Sequence, residues 1–505
     1  MPILPPEIWQ HIASFIPDSQ LTKLYSVNRI FLEVAFTAKY GTIDVDPSTI
    51  TLPLERLQVP HIAHHVHKFR ISLEFIKYII WLAVNRQSRA SIVNRAFTKL
   101  GVKSGQDPYL RKTQKTLLAS IPHLKNIREY SMYWDPQIYD EPSGAEITKT
   151  NRDAPGTWTG DSLARTFRQI PLLLAPRLQN LSSLDIALVS GSWTFTTGKW
   201  NLKSLAALLS FVNGLAPTLE ALSISPPAPY DLNPLFEGLS MRGPSHFGKF
   251  SDPFKSIGHF SRLRHLCVRE PIDGIHMSDI AIFQKFIDSH RDTLRELTLG
   301  ADTHSSFDYS ETSWVPRLFQ SISTIPLDSL RLGLLYHADP LKPVFEQVAR
   351  FCVGLRSFKM TGRTMNYDGL SLLVTTLSVG CLTTPIPLRE LYICIADLDK
   401  PVIDLLATQF PLLKKLSIRI SPLGIKARSG TFIRSLKGIQ YTGWKVADLS
   451  VGIDTPPRTY PSRQLEHAIM EVLALAIPSI RRFNGIEVIA KRTHGAETTT
   501  FELVT

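Results

Sequence analysis

Beyond residue 120 one short pattern keeps returning along the chain, as IPHLKNI, FSRLRHLCV, RDTLRELTL, IPLRELYI and FPLLKKLSI. Each has the form L-x-x-L-x-L. The clearest copies begin at Leu181, Leu219, Leu263, Leu294, Leu327, Leu355, Leu388, Leu413 and Val446, and weaker ones at Val66, Ile127 and Ile480. From Leu294 to Val446 the steps are 33, 28, 33, 25 and 33 residues. The alternation in L-x-L predicts a short strand with leucines inward and the intervening side chains outward. Stretches between copies, such as NLKSLAALLSFVNGL, VFEQVARFCV and PVIDLLATQF, have helical apolar spacing and room for a return helix. One such unit cannot bury its apolar face alone, so neighbours must stack, and an α/β solenoid is expected.

The totals agree with a large buried core: 505 residues, 44% hydrophobic and 20% charged. Cys267, Cys352, Cys381 and Cys394 are widely spaced and contain no Cys-x-x-Cys pair, which argues against a disulfide scaffold and for a reducing compartment. The opening residues lack a basic leader, and Pro5, Pro6 and Glu7 interrupt the apolar run, so no secretion signal is read there. The apolar stretch FIKYIIWLAV contains Lys77 and is too short to span a bilayer. A protein of the cytoplasm or nucleus, with no membrane contact, is expected.

Net charge is +12. Between Val66 and Tyr130 there are 13 Lys and Arg against Glu74, Asp107 and Glu129, so most of the excess belongs to one segment. Such a segment can neutralise a phosphate backbone. Its aromatics are sparse, however, and a solvated helix face explains the charge as well. Residues Leu73 to Leu100 read as a helix. The stretches near 133–161, 225–260 and 300–314 are rich in Pro, Gly, Ser and Asp and read as loops.

Residues 3–16 read ILPPEIWQHIASFI. Proline has φ preset near the helical value and no N–H to lose, so Pro5 and Pro6 suit a first helical turn, where Glu7 complements the dipole. Ile8, Trp9, Ile12, Phe15 and Ile16 recur at steps of three and four, and Pro17 ends the run. Asp18 or Ser19 can cap a second helix with Leu21, Leu24, Tyr25 and Val27. A third follows Asn28 through Ile30, Phe31, Val34 and Ala35 to Gly41. Three helices in about forty residues bury little of their own apolar surface, which implies docking on something else.

These residues, Leu4-Pro5-x-Glu7-Ile8 followed by Ile12, Ile16, Leu21, Leu24, Val27, Arg29, Phe31 and Ala35, resemble the F-box at its spacing over residues 3 to 40. Asn28 and Trp9 depart from the cysteine and leucine the family often carries. The resemblance implies binding to a Skp-type adaptor and through it to a cullin ubiquitin ligase. Leu4, Pro5, Ile8, Trp9, Ile12, Ile16, Leu21, Leu24 and Val27 would be its docking and packing residues. The strand-plus-helix unit resembles the leucine-rich repeat, although most steps exceed the usual length of about 20–29 residues and the consensus asparagine is missing. An irregular horseshoe follows. The expected division is a helical F-box-like domain at 1–40, a basic linker with first irregular repeat at 41–130, a loop insertion at 131–162, the repeat solenoid at 163–490 and a frayed tail at 491–505.

Signs of catalysis are weak. GDSL at Gly160–Leu163 resembles an esterase serine motif, but DAPGTWT before it does not read as the buried strand that should present Ser162. Asp161 or Ser162 reads instead as a helix cap. In HIAHHVHK, His61, His64, His65 and His67 can place two imidazoles on one face, yet no cysteine or carboxylate lies nearby in sequence. A polar linker with no metal is the expectation. Phosphate-binding glycine motifs are absent from the sequence. The chain therefore reads as a non-enzyme without cofactors, a substrate-recognition adaptor of an SCF-type (Skp–cullin–F-box) ubiquitin ligase whose repeats hold a target protein. Expected target contacts are the outward strand positions Asp185, His265, Arg269, Glu296, Arg331, Lys359, Glu390, Tyr392, Lys415 and Arg419, with Tyr and Arg as anchors. The alternatives are a repeat-based interaction scaffold outside the ubiquitin system and, less favoured, a nucleic-acid binder through residues 66–128, including Lys103, Arg111, Lys112 and Lys115.

Overall fold

A computed structural model describes residues 5–21, 23, 24, 26–45, 55–71, 116, 119–134, 178–188, 202–225, 260–269, 280–300, 314–320, 322, 325–334, 341–351, 353–381, 385–421, 430–453, 463–492 and 499–504. The expected helix at 73–100, the bulk of the three expected loops and the GDSL motif lie outside them. The chain divides into two compact units, Met1–Tyr230 with Met241–Leu263, and Asp231–Ser240 with Arg264–Thr505.

The first unit opens with three helices, α1 (Pro6–Ser14), α2 (Asp18–Leu21) and α3 (Arg29–Tyr40). Pro6 occupies the first helical position of α1, and Asn28 caps α3 by accepting the Ile30 N–H at 2.9 Å. Five parallel strands follow in chain order: β1 (Thr42–Val45), β2 (Lys68–Ile71), β3 (Glu129–Trp134), β4 (Ser183–Leu188) and β5 (Ala221–Ser225).

The second unit repeats the scheme with β6 (His265–Val268), β7 (Glu296–Leu299), β8 (Ser329–Gly333), β9 (Ser357–Met365), β10 (Glu390–Ile395), β11 (Lys415–Ile420), β12 (Asp448–Ile453) and β13 (Arg482–Phe483), all parallel. Parallel neighbours need a crossover. Helices Ile280–Ser289, Trp314–Gln320, Leu341–Ala349, Tyr367–Gly380, Lys400–Gln409 and Arg463–Ala476 lie within these crossovers. In both units the strand order is the chain order, an open α/β arrangement of stacked repeats.

All twelve copies of the sequence pattern stand two residues ahead of a strand, from Val66 before Lys68 to Ile480 before Arg482. Their first residues are buried, and Leu263, Leu294, Leu327, Leu413 and Val446 have no exposed surface. The inward leucines align across the ladder: Leu266 pairs with Leu297 and Leu297 with Leu330. Opposite them pack helix residues such as Phe283, Phe286, Phe345, Leu373 and Leu406, all buried. Truncating one such buried side chain to alanine costs about 2–5 kcal/mol.

Two expectations need correction. Within the expected frayed tail, residues 499–504 form a strand: β14 (Ile486–Arg492) and β15 (Thr499–Val504) pair antiparallel from Glu487–Val504 to Arg492–Thr499. The run TTFELV carries the β-branched and aromatic residues that a strand favours. Nor is HIAHHVHK a polar linker. Pro60–His64 is a short helix, and Ala63, His65 and Val66 are buried. The array also begins earlier than residue 66, because β1 pairs with β2 in register from Thr42–Lys68 to Val45–Ile71.

Candidate functional site

The apolar residues of the three N-terminal helices divide into two sets. Ala13, Leu21, Phe31 and Ala35 form a small core, against which Trp9, Ile16, Leu24 and Val34 pack. The Trp9 ring meets Phe31 edge-on at 5.5 Å between centroids. Trp9 and Asn28, the two departures from the F-box pattern, thus act locally, one as core filler and one as cap. Turned outward are Pro5, Ile8 (44% exposed), Ile12 (37%), Phe15 (75%) and Val27 (64%). Ile8, Ile12 and Phe15 follow at four and three residues, so they share one face of α1. Of the expected docking residues, Pro5, Ile8, Ile12 and Val27 present apolar surface and Trp9, Ile16, Leu21 and Leu24 support it from within. Leu4 lies outside the described residues. Phe15, the most exposed of this apolar set, was missed as a docking residue, although its spacing from Ile8 and Ile12 was visible.

The expected target contacts stand at outward positions of the strands. Asp185 lies on β4 of the first unit, and the other nine belong to the second. Register brings several of these together: His265 opposite Glu296, Arg331 opposite Lys359, and Lys359 opposite Tyr392. His265 Nδ1 is 3.0 Å from Glu296 Oε2, and Glu390 accepts a hydrogen bond from Ser357 Oγ at 3.3 Å. The Arg419 guanidinium sits 5.9 Å from the centre of the Tyr392 ring, within cation–π range. Lys415 faces Glu390 across the ladder. Arg269 is exposed just past the end of β6. Cross-strand charge pairing recurs in the first unit, where Lys68 and Glu129 approach to 2.8 Å. Such exposed pairs add little stability; their main effect is to leave a strand face of mixed charge.

A second feature escaped the sequence reading. The residue just before each parallel strand of the second unit is tied to its counterpart by backbone hydrogen bonds, running Arg264, Arg295, Asp328, Arg356, Arg389, Lys414, Ala447 and Arg481 with N···O distances of 2.7–2.8 Å. Six of the eight are basic. Adjacent parallel strands lie about 4.8 Å apart, so these cations form a closely spaced rim along the strand starts. Asp328, the single acid, pairs with Arg356 at 3.8 Å. The signal was legible, since these residues are the second position of L-x-x-L-x-L. Of the basic segment 66–128, Lys103, Arg111, Lys112 and Lys115 lie outside the described residues, as does Ser162 of GDSL.

Among the described residues no helix is long and apolar enough to cross a membrane. No protein-family model matches the chain, and no curated protein matches it.

Proposed function

We propose that the chain is the substrate-recognition adaptor of an SCF-type ubiquitin ligase. The F-box-like helices at residues 3–40 dock on a Skp-type adaptor, and the following units act as leucine-rich repeats that hold a target protein. The observation that carries this reading is the exposed row of Ile8 and Ile12 on α1 and Phe15 at its C-cap, with Val27 beyond it, while Trp9, Ile16, Leu24 and Val34 pack on the core of Ala13, Leu21, Phe31 and Ala35. Exposed apolar side chains gathered on one small element favour a protein partner. The strand face and its basic rim supply the second surface. Held beside a ubiquitin-conjugating enzyme, a bound target reaches high effective concentration without a reactive residue in this chain.

The test is co-purification of the full chain with a Skp-type adaptor, beside an Ile8→Asp, Ile12→Asp double variant. Capture by the wild type and loss in a variant that keeps its unfolding midpoint supports the reading. Equal capture by both moves the contact off this face. No capture by either leaves an interaction scaffold outside the ubiquitin system as the better account.

A further inference from the structure

The four histidines of HIAHHVHK do not share one environment. His64 and His67 both face Asn126: the His64 ring nitrogen Nδ1 is 3.0 Å from Asn126 Nδ2, and His67 Nδ1 is 3.3 Å from the Asn126 carbonyl. His61 and His65 turn the other way, toward α3. Their rings meet edge-on at 5.3 Å, and Phe36 packs against both. Glu33, one turn before Phe36 and Thr37 on α3, brings its carboxylate to this pair. The donor atoms of Glu33, His61 and His65 all lie within 4.8 Å of one another. The carboxylate that the local sequence lacked is thus supplied from 32 positions upstream.

Hydrogen bonding fixes how His65 presents itself. The Thr37 hydroxyl donates to the Glu33 carbonyl at 2.9 Å and so has spent its single proton. His65 Nδ1, 3.1 Å from the same hydroxyl oxygen, must therefore be the donor there. That tautomer leaves a lone pair on Nε2. The His65 side chain is only 5% exposed, and Nε2 is buried without a hydrogen-bond partner, 3.2 Å from Glu33 Oε2. Nε2 and Oε2 thus approach closely with no hydrogen bond between them, and two lone-pair donors at that distance repel unless they share a cation.

We propose that Glu33, His61 and His65 form a divalent-metal site of the zinc class that fastens α3 to the segment entering β2. Two imidazoles and one carboxylate are a zinc donor set, whereas calcium and magnesium select oxygen ligands. Bonds of about 2.0–2.1 Å at tetrahedral angles put donor atoms about 3.3 Å apart. Glu33 and His65 already stand at 3.2 Å. Exposed His61 closes the remaining distance by ring rotation. Three protein ligands leave the fourth position to water on the solvent side of His61. The Thr37–His65 contact is the outer hydrogen bond that typically fixes the tautomer of a metal-binding histidine.

The test uses the full chain, stripped with a chelator and titrated with zinc, with retained metal counted by elemental mass spectrometry. We expect one tight equivalent and a higher unfolding temperature with zinc. His61→Ala and Glu33→Gln, which alter more exposed side chains and so leave the fold in place, should each weaken binding at least tenfold and abolish the thermal shift. Thr37→Val, which keeps the size but not the acceptor, should weaken it by about 10–100-fold. His64→Ala should bind as the wild type. Absence of retained zinc in the wild type overturns the site, and so does zinc binding that His61→Ala and Glu33→Gln leave unchanged.

Discussion

The side chain of Asn484 continues the parallel ladder where the main chain turns away: its Oδ1 accepts from the Val451 N–H at 2.8 Å, and its Nδ2 donates to the Val451 carbonyl at 3.2 Å. The carboxamide thus stands where the next strand's peptide group would be. Asn484 also has φ of 50°, a conformation asparagine tolerates better than most residues, and Gly485 follows at 81°. The chain can then reverse into β14. Asn484→Ala removes both bonds and adds left-handed strain, so it should destabilise by about 2–3 kcal/mol. Asn484→Gly, which removes only the bonds, should cost less. Urea unfolding of the full chain separates them by midpoint at a shared slope.

Gly300 and Gly333 fix the spacing between the ends of β7 and β8. Gly300 has φ of 93°, and a Cβ there would lie 2.3 Å from the Gly333 carbonyl oxygen and 2.8 Å from its Cα and N. All three obstacles are backbone, which cannot rotate aside. Gly300→Ala should therefore cost about 3 kcal/mol or more. Gly214→Ala, which meets nothing within 4 Å and has no positive φ, is the matched control and should be neutral or stabilising. Thermal unfolding of the two variants makes the comparison.

Asp404, on the helix Lys400–Gln409, joins two donors. Tyr441 Oη reaches one carboxylate oxygen at 2.6 Å, and Lys400 Nζ reaches the other at 2.6 Å. Burial alone would raise the Asp404 pKa, but hydrogen bonds from Lys400 and Tyr441 outweigh it and hold the group below its ordinary value. A carboxylate depressed on folding stabilises above its unfolded pKa, and that contribution is lost as pH falls through the folded value. Tyr441→Phe should lower stability at neutral pH, and its difference from wild type should shrink as pH falls below about 4. A difference that persists undiminished at low pH would assign Tyr441 a packing role instead.

The strand positions were legible because L-x-L is a local signal: alternation over three residues decides which side chains face inward, and twelve copies repeat it. The four residues TIDV of β1 lack any leucine and were hidden, although Ile43 and Val45 alternate inward with Thr42 and Asp44 exposed. In α1 periodicity located the apolar positions but not their division. Trp9 turns inward and Ile8 outward because Phe31, on another helix, offers a ring to Trp9 alone. The meeting of Glu33 with His65 is a tertiary contact between separate elements, and no short-range pattern encodes it.

If the repeats bind a target as proposed, the basic rim decides what kind of target it is. Arg389 and Lys414 occupy adjacent rungs, joined by the Lys414 N–H to Arg389 carbonyl bond at 2.8 Å, and both side chains are exposed. Beside them the first outward row of the strands interleaves Glu296, Glu390 and Asp448 with His265, Lys415 and Arg482, so cations and anions alternate across the face rather than forming a continuous positive track. A duplex or single strand with a phosphate at every step would meet those carboxylates. An acidic protein segment can instead place its charges on the rim and keep polar groups over the row. A glutamate-rich peptide should therefore bind the full chain more tightly than an oligonucleotide of equal charge. Its affinity should fall as salt rises. Arg389→Glu with Lys414→Glu reverses two adjacent charges, each expected to alter stability by no more than about 0.5 kcal/mol. The pair should lower peptide affinity at least tenfold, about 1.4 kcal/mol, with an unchanged unfolding midpoint. Tighter binding of the oligonucleotide, or peptide binding that ignores both reversals, would rule the rim out as a site for acidic protein segments.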